Sequence, residues 1–287
     1  MRAGEVAHPE RSGMLGVVAR LPCEDSKHMT ERDELLRSLE HAMENGEFEM
    51  FFQPEYDARN GQPIGVESLI RWRHPKRGLI APAVFLAICE DSGLILPLGR
   101  WILGEACNYH FRLAEAGWAN VAVAVNISAS QFADTGLVDY LRKLVTEFSV
   151  PAGALELELS ESTIMGNPAR AVEIMTAVHG LGVTLTIGDF GTGYSSMSTL
   201  HRVPADKIKI DRSVVHGVHH DGNNGAICRS IISMAHGKDL RVIAEGVELS
   251  EEHEWLRNNR CDGVQGYLFA RPAPFEDMLK ALGSLPA

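Results

Sequence analysis

Short apolar runs alternate with longer amphipathic stretches along most of this chain. Eight short runs have the alternation and β-branched content typical of strands, and most are separated by segments with helical spacing. This order predicts a single (β/α)8 barrel, with an open doubly wound sheet as the alternative. The predicted strands are "FEMFFQPEYDA" (48–58), "IGVESLIRW" (64–72), "VAVAVNIS" (121–128), "LELELSES" (155–162), "TLTIGDFG" (184–191), "KIKIDRS" (207–213), "RVIAEGVE" (241–248) and "VQGYLFA" (264–270).

The first thirty residues mix proline, glycine and charge without a period, which predicts a flexible leader over 1–30 and a barrel domain over 31–287. Apolar residues then recur at helical spacing over 31–47, and Gly46 is expected to close that helix. A leader of this length is too short for a folded sensory domain.

The connection between the first two strands is unusually short. Only "RNGQP" separates them, and its Asn-Gly pair favours a hairpin, so the first pair of strands is expected to be antiparallel. No GxGxxG sequence opens an early helix, which weighs against a dinucleotide-binding sheet.

Charge and cysteine content narrow the possible partners. The 287 residues carry 27 basic and 38 acidic side chains, for a formal charge of -11. This balance disfavours binding to DNA or RNA polymers and to anionic lipid. The cysteines show no CxxC pairing, which favours a reducing compartment, and the run "MLGVVARL" is too short to span a bilayer. A cytoplasmic protein without membrane insertion is expected.

Oxygen ligands and cations collect where the predicted strands end. Carboxylates and amide oxygens without histidine or cysteine are typical of a site for a hard divalent ion such as Mg²⁺ or Mn²⁺. One acidic strand end is usually only solvated, and Glu156 is open to a structural pairing with a basic residue inside the barrel. The strand-end residues are Glu67, Arg71, Asn126, Glu158, Glu161, Asp189, Lys209, Asp211, Glu245, Glu248 and Gln265.

These strand ends carry sequences that resemble the EAL domain family, which comprises cyclic di-GMP phosphodiesterases and degenerate receptors. The resemblance spans residues 33 to about 275. It implies a modified TIM barrel with an antiparallel first strand, and hydrolysis of cyclic di-GMP to linear pGpG with Mg²⁺ or Mn²⁺. The sequences that carry it are "FFQPEYD", "GVESLIRWRHP", "VNISASQF", "ELSES", "GDFGTGYSS", "PADKIKIDRS", "VIAEGVE" and "DGVQGYLFARP".

The resemblance also implies a role for each matching residue. Metal ligands would be Glu67, Asn126, Glu158 and Asp189; Glu245 would be a further ligand or general base, and Lys209 would steer the attacking water. Arg71 would contact phosphate, and the nucleotide would be lined by Gln53, Leu69, Glu248 and Gln265. Glu161 would hold the glycine loop, and the 189–196 region would also contribute to a possible homodimer.

Two positions depart from the family pattern. Ser68 replaces the middle alanine of the signature triplet, and strand alternation points it away from Glu67 with little expected effect. Gly188 replaces the first aspartate of the "DDFGTG" pattern, which in the family supplies a carboxylate shared between two metals. Alternation predicts that Asp189 points the other way and cannot supply the same oxygen without a local rearrangement of the backbone.

Three functional hypotheses follow from this pattern. The first is a metal-dependent phosphodiesterase, because the other motif-matched ligands and the lysine are present. The second is a catalytically inactive cyclic di-GMP receptor, because Gly188 supplies no ligand, and Gly188→Asp would then restore hydrolysis. The third is a protein-interaction module that binds no nucleotide, against which Arg71 and Gln265 argue.

Overall fold

The described part of the chain forms a closed barrel of strands surrounded by helices. The computed structural model describes residues 24–193 and 202–283. Its strands join in one sheet in the order β10-β1-β9-β8-β7-β6-β5-β4-β2-β3, and pairing of β1 with β2 closes it. The strands are β1 (Phe48–Asp57), β2 (Pro63–His74), β3 (Gly78–Ile80), β4 (Ala122–Ile127), β5 (Leu155–Ser160), β6 (Thr184–Phe190), β7 (Lys207–Ile210), β8 (Arg241–Ala244), β9 (Gly263–Val264) and β10 (Ala273–Pro274).

The first strand runs against its neighbours, which confirms the predicted hairpin. β1 is antiparallel to β2, with Gln53 opposite Glu67 and Glu55 opposite Gly65. It is also antiparallel to β9, where Tyr56 faces Val264. The strands from β4 to β9 pair in parallel, so the predicted modified TIM barrel is confirmed.

Helices cover the outside of the barrel. The first begins at Glu24, within the segment predicted as a leader, and residues 1–23 lie outside the described part. The helices are α1 (Glu24–Ala42), α2 (Pro82–Ser92), α3 (Ile95–Glu115), α4 (Ala129–Ala133), α5 (Leu137–Glu147), α6 (Glu161–Gly166), α7 (Pro168–His179), α8 (Arg212–Val215), α9 (Gly222–His236), α10 (Ser250–Asn258) and α11 (Phe275–Gly283).

Strand alternation separates an apolar outer layer from a charged barrel interior. On β5, the leucines of "LELELS" are buried, and the two glutamates between them are buried on the opposite face. Glu156 pairs there with Lys207 and accepts a hydrogen bond from Thr186, so its structural interpretation is correct. Glu158 lies two residues further along β5, nearer the strand's carboxyl end.

Candidate functional site

The ammonium of Lys209 is the centre of a buried cluster of carboxylates at the carboxyl ends of the strands. Lys209 is fully buried, although lysine is almost never found so without partners. Among the described residues, four carboxylates contact it. Its Nζ lies 2.7 Å from Glu158 Oε2, 2.9 Å from Glu55 Oε1, 3.3 Å from Glu245 Oε1 and 3.5 Å from Glu67 Oε2.

Amide side chains fix the orientation of Glu67. Asn126 Nδ2 donates a hydrogen bond of 2.7 Å to Glu67 Oε1, and Gln265 Nε2 donates one of 2.7 Å to Glu67 Oε2. Both oxygens are therefore directed by neighbouring strands, β4 on one side and the segment after β9 on the other. Gln265 Oε1 in turn accepts from Lys209 at 3.3 Å, which links the amides to the charged cluster.

A bulge in β6 brings Asp189 into the site. The β6–β7 register shifts between Ile187 and Phe190, and Asp189 adopts a left-handed backbone with φ of 52°. Alternation points Asp189 away in an unbroken strand, and this bulge is the local rearrangement of the backbone that the prediction required. Asp189, Asp211 and Glu245 each offer a carboxylate oxygen, and these oxygens lie within 4.8 Å of one another.

Glu158 occupies the space beside Gly188. A Cβ atom built on Gly188 would lie 2.6 Å from Glu158 Oε1 and 3.1 Å from its Cγ. The glycine therefore permits Glu158 to lie across this part of β6. Glu158 faces Thr186 and Gly188 faces Ser160 in register, so Glu158 and Gly188 are diagonal neighbours across the β5–β6 pair.

Burial and mutual repulsion shift the titration of these carboxyl groups. Burial, followed by repulsion from Glu67 and Glu245, raises the pKa of Glu158 well above its ordinary value. Burial likewise raises the pKa of Glu245 to about 7. Burial alone would lower the pKa of Lys209, but the surrounding carboxylates outweigh it and raise that pKa well above normal. The cluster holds more negative charge than one ammonium neutralises.

The donor set fits divalent cations. Oxygens of Glu67, Glu158 and Glu245 also lie within 4.8 Å of one another, and this group shares Glu245 with the Asp189 group. Closely spaced carboxylate oxygens beside the Asn126 amide are ligands that Mg²⁺ and Mn²⁺ prefer. The surplus negative charge supplies a further reason for a cation to bind.

The proposed nucleotide contacts divide between two adjoining cavities and a nearby strand. Gln53, Glu248 and Gln265 line a cavity of about 320 Å³ together with the carboxylates. Leu69 lines a more apolar neighbouring cavity of about 440 Å³, which also reaches Gly188.

Arg71 is outside the residues that line these two cavities in the described chain. Its guanidinium donates to Ile70 O at 2.9 Å and lies 5.3 Å from the ring centre of Phe51. The guanidinium interacts electrostatically with Tyr267 and Glu67, which both line the first cavity, and its contact with phosphate stays a prediction.

Glu161 contacts the start of the glycine loop. Gly191 N donates a hydrogen bond of 3.4 Å to Glu161 Oε2, and a Cβ on Gly193 would meet Glu161 Oε1 at 2.7 Å. Glu161 is buried at the N-terminus of α6, where Ser160 caps the helix. The rest of the predicted dimer region, beyond Gly193, lies outside the described residues.

Sequence reasoning missed two members of the cluster. Glu55 was not singled out, although alternation on β1 gives it the same face as Gln53. Asp211 was noted at the end of β7, but it was not assigned as a ligand. Tyr267 and Arg212 also line the cavity without having been predicted.

The barrel and its carboxylate cluster define a member of the EAL domain family. The family model described as "EAL domain" matches residues 36–272, and the chain belongs to that family. MucR of Pseudomonas aeruginosa, a bifunctional diguanylate cyclase/cyclic di-GMP phosphodiesterase, is 40% identical over 252 residues, or 88% of this chain and 37% of MucR. The cyclic di-GMP phosphodiesterase PdeR of Escherichia coli is 38% identical over 237 residues, or 83% of this chain and 36% of PdeR.

Solved structures agree with this assignment. A structure described as the PaMucR phosphodiesterase in complex with c-di-GMP has a TM-score of 0.82 at 40% identity, covering 85% of this chain and 99% of that chain. The EAL enzyme Bd1971, in a form bound to cAMP and cyclic di-GMP, has a TM-score of 0.83 at 32% identity. The match covers 90% of this chain and 70% of that chain. The chain spans little more than a third of the length of MucR and PdeR.

None of the helices described within 24–193 and 202–283 is both long and apolar enough to cross a membrane.

Proposed function

We propose that this chain hydrolyses cyclic di-GMP to linear pGpG with Mg²⁺ or Mn²⁺. The observation that carries the proposal is the presence of two sets of closely spaced carboxylates that share Glu245, which itself contacts Lys209 at 3.3 Å. Bound divalent cations would acidify a water molecule and neutralise charge on the reacting phosphate oxygens. Water would add to phosphorus, the P–O3′ bond would break, and the leaving oxygen would take up a proton.

The proposal assigns a role to each predicted residue of the site. The cations would be held by Glu67, Asn126, Glu158 and Asp189, with Glu245 as a further ligand or the general base. Lys209 would orient the attacking water and offset developing negative charge. Gln53, Leu69, Arg71, Glu248 and Gln265 would bind the nucleotide, and Glu161 would hold the glycine loop.

The test is a turnover assay. Purified chain is incubated with cyclic di-GMP and Mn²⁺ or Mg²⁺, and pGpG is measured by chromatography beside Glu67→Gln and an EDTA control. The wild type is expected to form pGpG only with metal. The variant is expected to lose at least about 100-fold in turnover, because loss of a metal ligand should cost at least as much as loss of a residue that orients a ligand. Intact cyclic di-GMP at high enzyme concentration would end the proposal.

A second candidate function is a catalytically inactive receptor for cyclic di-GMP. It is favoured by Gly188, which offers no carboxylate and whose side-chain space is occupied by Glu158. This candidate predicts calorimetric binding of cyclic di-GMP in EDTA with no product after long incubation. Binding without turnover would select the receptor over the enzyme.

We also propose a cytoplasmic location and a homodimer through the 189–196 region. The location is supported by free cysteines at 89, 107, 228 and 261, all of them buried. The dimer is supported by the contact of Glu161 with the start of that region. Analytical ultracentrifugation tests the dimer, and a monomer at high concentration would contradict it.

A further inference from the structure

One of the four carboxylates on Lys209 differs from the other three in where it lies. Glu67, Glu158 and Glu245 line the cavity. Glu55 is not among the described residues that line it. Glu55 is fully buried, and its Oε1 lies 2.9 Å from the ammonium. Lys209 is therefore held between cavity-facing carboxylates and one carboxylate inside the barrel.

The strand opposite Glu55 leaves room for its carboxylate. Gly65 faces Glu55 across the β1–β2 pair, and a Cβ on Gly65 would come within 2.9 Å of Glu55 Oε2. Apart from the 2.9 Å contact of Oε1 with Lys209, neither oxygen of Glu55 has a hydrogen-bond partner within the described residues, so Lys209 is its main source of compensation. A buried carboxylate without such a partner would be strongly destabilising.

The charge on Glu55 is maintained by two lysines. Burial raises the pKa of Glu55, but Lys209 and Lys207 outweigh it and leave that pKa below its ordinary value. The group inside the barrel is thus an anion that faces a cation, in a region where Coulomb forces are little screened.

We propose that Glu55 is a positioning residue that anchors Lys209 when the cavity-facing carboxylates turn to a divalent cation. A bound cation competes with Lys209 for Glu67, Glu158 and Glu245 and also repels its ammonium. Glu55 does not line the cavity, so it keeps its contact with the ammonium and frees the other carboxylates to bind a cation. The catalytic part of this inference rests on the proposed hydrolysis, but the effect on cation binding does not.

The test compares the same substitution at two buried ion pairs. Glu55→Gln removes the anchor's charge while keeping its shape. Glu156→Gln is the matched control, because it removes the charge of the carboxylate that pairs with Lys207. Glu156 lies two residues before Glu158 on β5, and Lys207 lies two residues before Lys209 on β7. Mn²⁺ binding to the metal-free chain is measured by calorimetry, and kcat and KM are measured for cyclic di-GMP.

Glu55→Gln is expected to weaken Mn²⁺ binding by about 10- to 100-fold, the range for residues that orient metal ligands. It is expected to lower kcat by a similar factor and to change KM less than about twofold, because Glu55 does not line the cavity. Glu156→Gln is expected to lower the melting temperature but to leave both quantities near wild type. Unchanged Mn²⁺ affinity in Glu55→Gln, or equal losses in both variants, would overturn the inference.

Gly65→Ala provides a second variant that keeps the charge. The added Cβ would displace the Glu55 carboxylate. Because the steric clash is with the end of a side chain, the fold is expected to tolerate the substitution. It should weaken Mn²⁺ binding in the same direction, and wild-type affinity would contradict the anchoring role. If the wild type shows no turnover, the proposed hydrolysis is contradicted. The comparison of Mn²⁺ affinities would still decide the role of Glu55.

Discussion

Gly188 and Glu158 share one region of space, and this shared space determines what a substitution at either residue does. A side chain at 188 has to displace the carboxylate that contacts Lys209 at 2.7 Å. Where Gly188 has no side chain, Glu158 occupies the space. Sequence comparison reveals the glycine, but only the structure reveals what lies beside it.

Gly188→Ala is expected to weaken Mn²⁺ binding by about tenfold, because its methyl group forces Glu158 away from the cluster. Gly188→Asp forces the same movement but adds a carboxylate, so it should bind Mn²⁺ and turn over cyclic di-GMP better than Gly188→Ala. Calorimetry and the pGpG assay measure both effects. Gly166→Ala, with open space around its Cβ, is the control. Wild-type affinity in Gly188→Ala would refute this account.

At the level of single residues, the sequence predicted much of the cavity lining but not the buried carboxylate of Glu55. Gln53, Glu67, Asn126, Glu158 and Gln265 were all found from strand ends and family motifs, and the structure brings them together. Glu55 escaped because β1 runs in the opposite direction, so residues later in that strand lie deeper in the barrel. A rule that examines only the carboxyl ends of strands therefore passes over it.

At the scale of elements, the bulge of β6 decides the orientation of Asp189. Its positive φ is a conformation that asparagine and aspartate tolerate better than most residues do. A regular strand would have directed this carboxylate away from Glu245. The sequence pattern did not predict this bulge, because a bulge changes the alternation only locally.

Asp189→Asn separates the charge from the backbone conformation. Asparagine accepts the left-handed conformation, so the melting temperature should change by less than about 2 °C, while Mn²⁺ binding should weaken by about tenfold. Asp239→Asn is the matched control, since Asp239 is exposed and has φ of 59°. Thermal melting and calorimetry are compared for the two variants. Equal Mn²⁺ affinity in both would exclude Asp189 as a ligand.

A single buried carboxylate joins α10 to two loops. Glu252 is fully buried and accepts backbone hydrogen bonds from Gly217 at 2.9 Å, Glu248 at 3.0 Å and Leu249 at 3.2 Å. It caps its own helix and also fixes the backbone of Glu248, which lines the cavity. The β8–α10 connection is therefore held by a charged group rather than by apolar packing alone.

Glu252→Ala is expected to lower the free energy of unfolding by about 3 kcal/mol, because it leaves several amides without an acceptor. Glu252→Gln keeps one acceptor oxygen and should lose less. Glu254→Ala, on the exposed face of the same helix, should be close to neutral. Urea denaturation followed by circular dichroism measures all three. A neutral Glu252→Ala would show that other groups satisfy those amides.

Predicted elements were more accurate at their starts than at their ends. β7 and β8 start where the pattern predicted, but they end at Ile210 and Ala244 rather than at 213 and 248. The apolar pattern continues into the connections because residues such as Val247 are buried beside the cavity. β3 and β10 were missed because two or three residues are too few to show a period.

At the scale of the whole molecule, the carboxylate cluster makes stability depend on pH and on cations. The folded chain binds protons at Glu245 and Glu158 more tightly than the unfolded chain does, because both pKa values are raised. This contribution is fully present at low pH and is lost as pH rises through about 7, the pKa of Glu245. Divalent cations replace the protons, so they should stabilise most at high pH.

Metal-free chain is expected to melt several degrees lower at pH 8 than at pH 6 as this contribution is lost, at about 1.4 kcal/mol per unit of pKa shift. Mn²⁺ should reduce the difference, and Glu245→Gln should reduce it without metal. Scanning fluorimetry in EDTA and in Mn²⁺ provides the measurement. An identical pH dependence in wild type and Glu245→Gln would show that other groups cause it.

Closure of the barrel has a consequence for how the chain is synthesised. Tyr56 pairs with Val264, so strands from near the two ends of the described chain meet beside the cluster. A ribosome-bound chain without its final stretch therefore exposes the free edge of β1 and lacks Gln265, which orients Glu67. Tight cation capture therefore requires synthesis to pass Gln265, and chains truncated before that residue would be recognised by its loss.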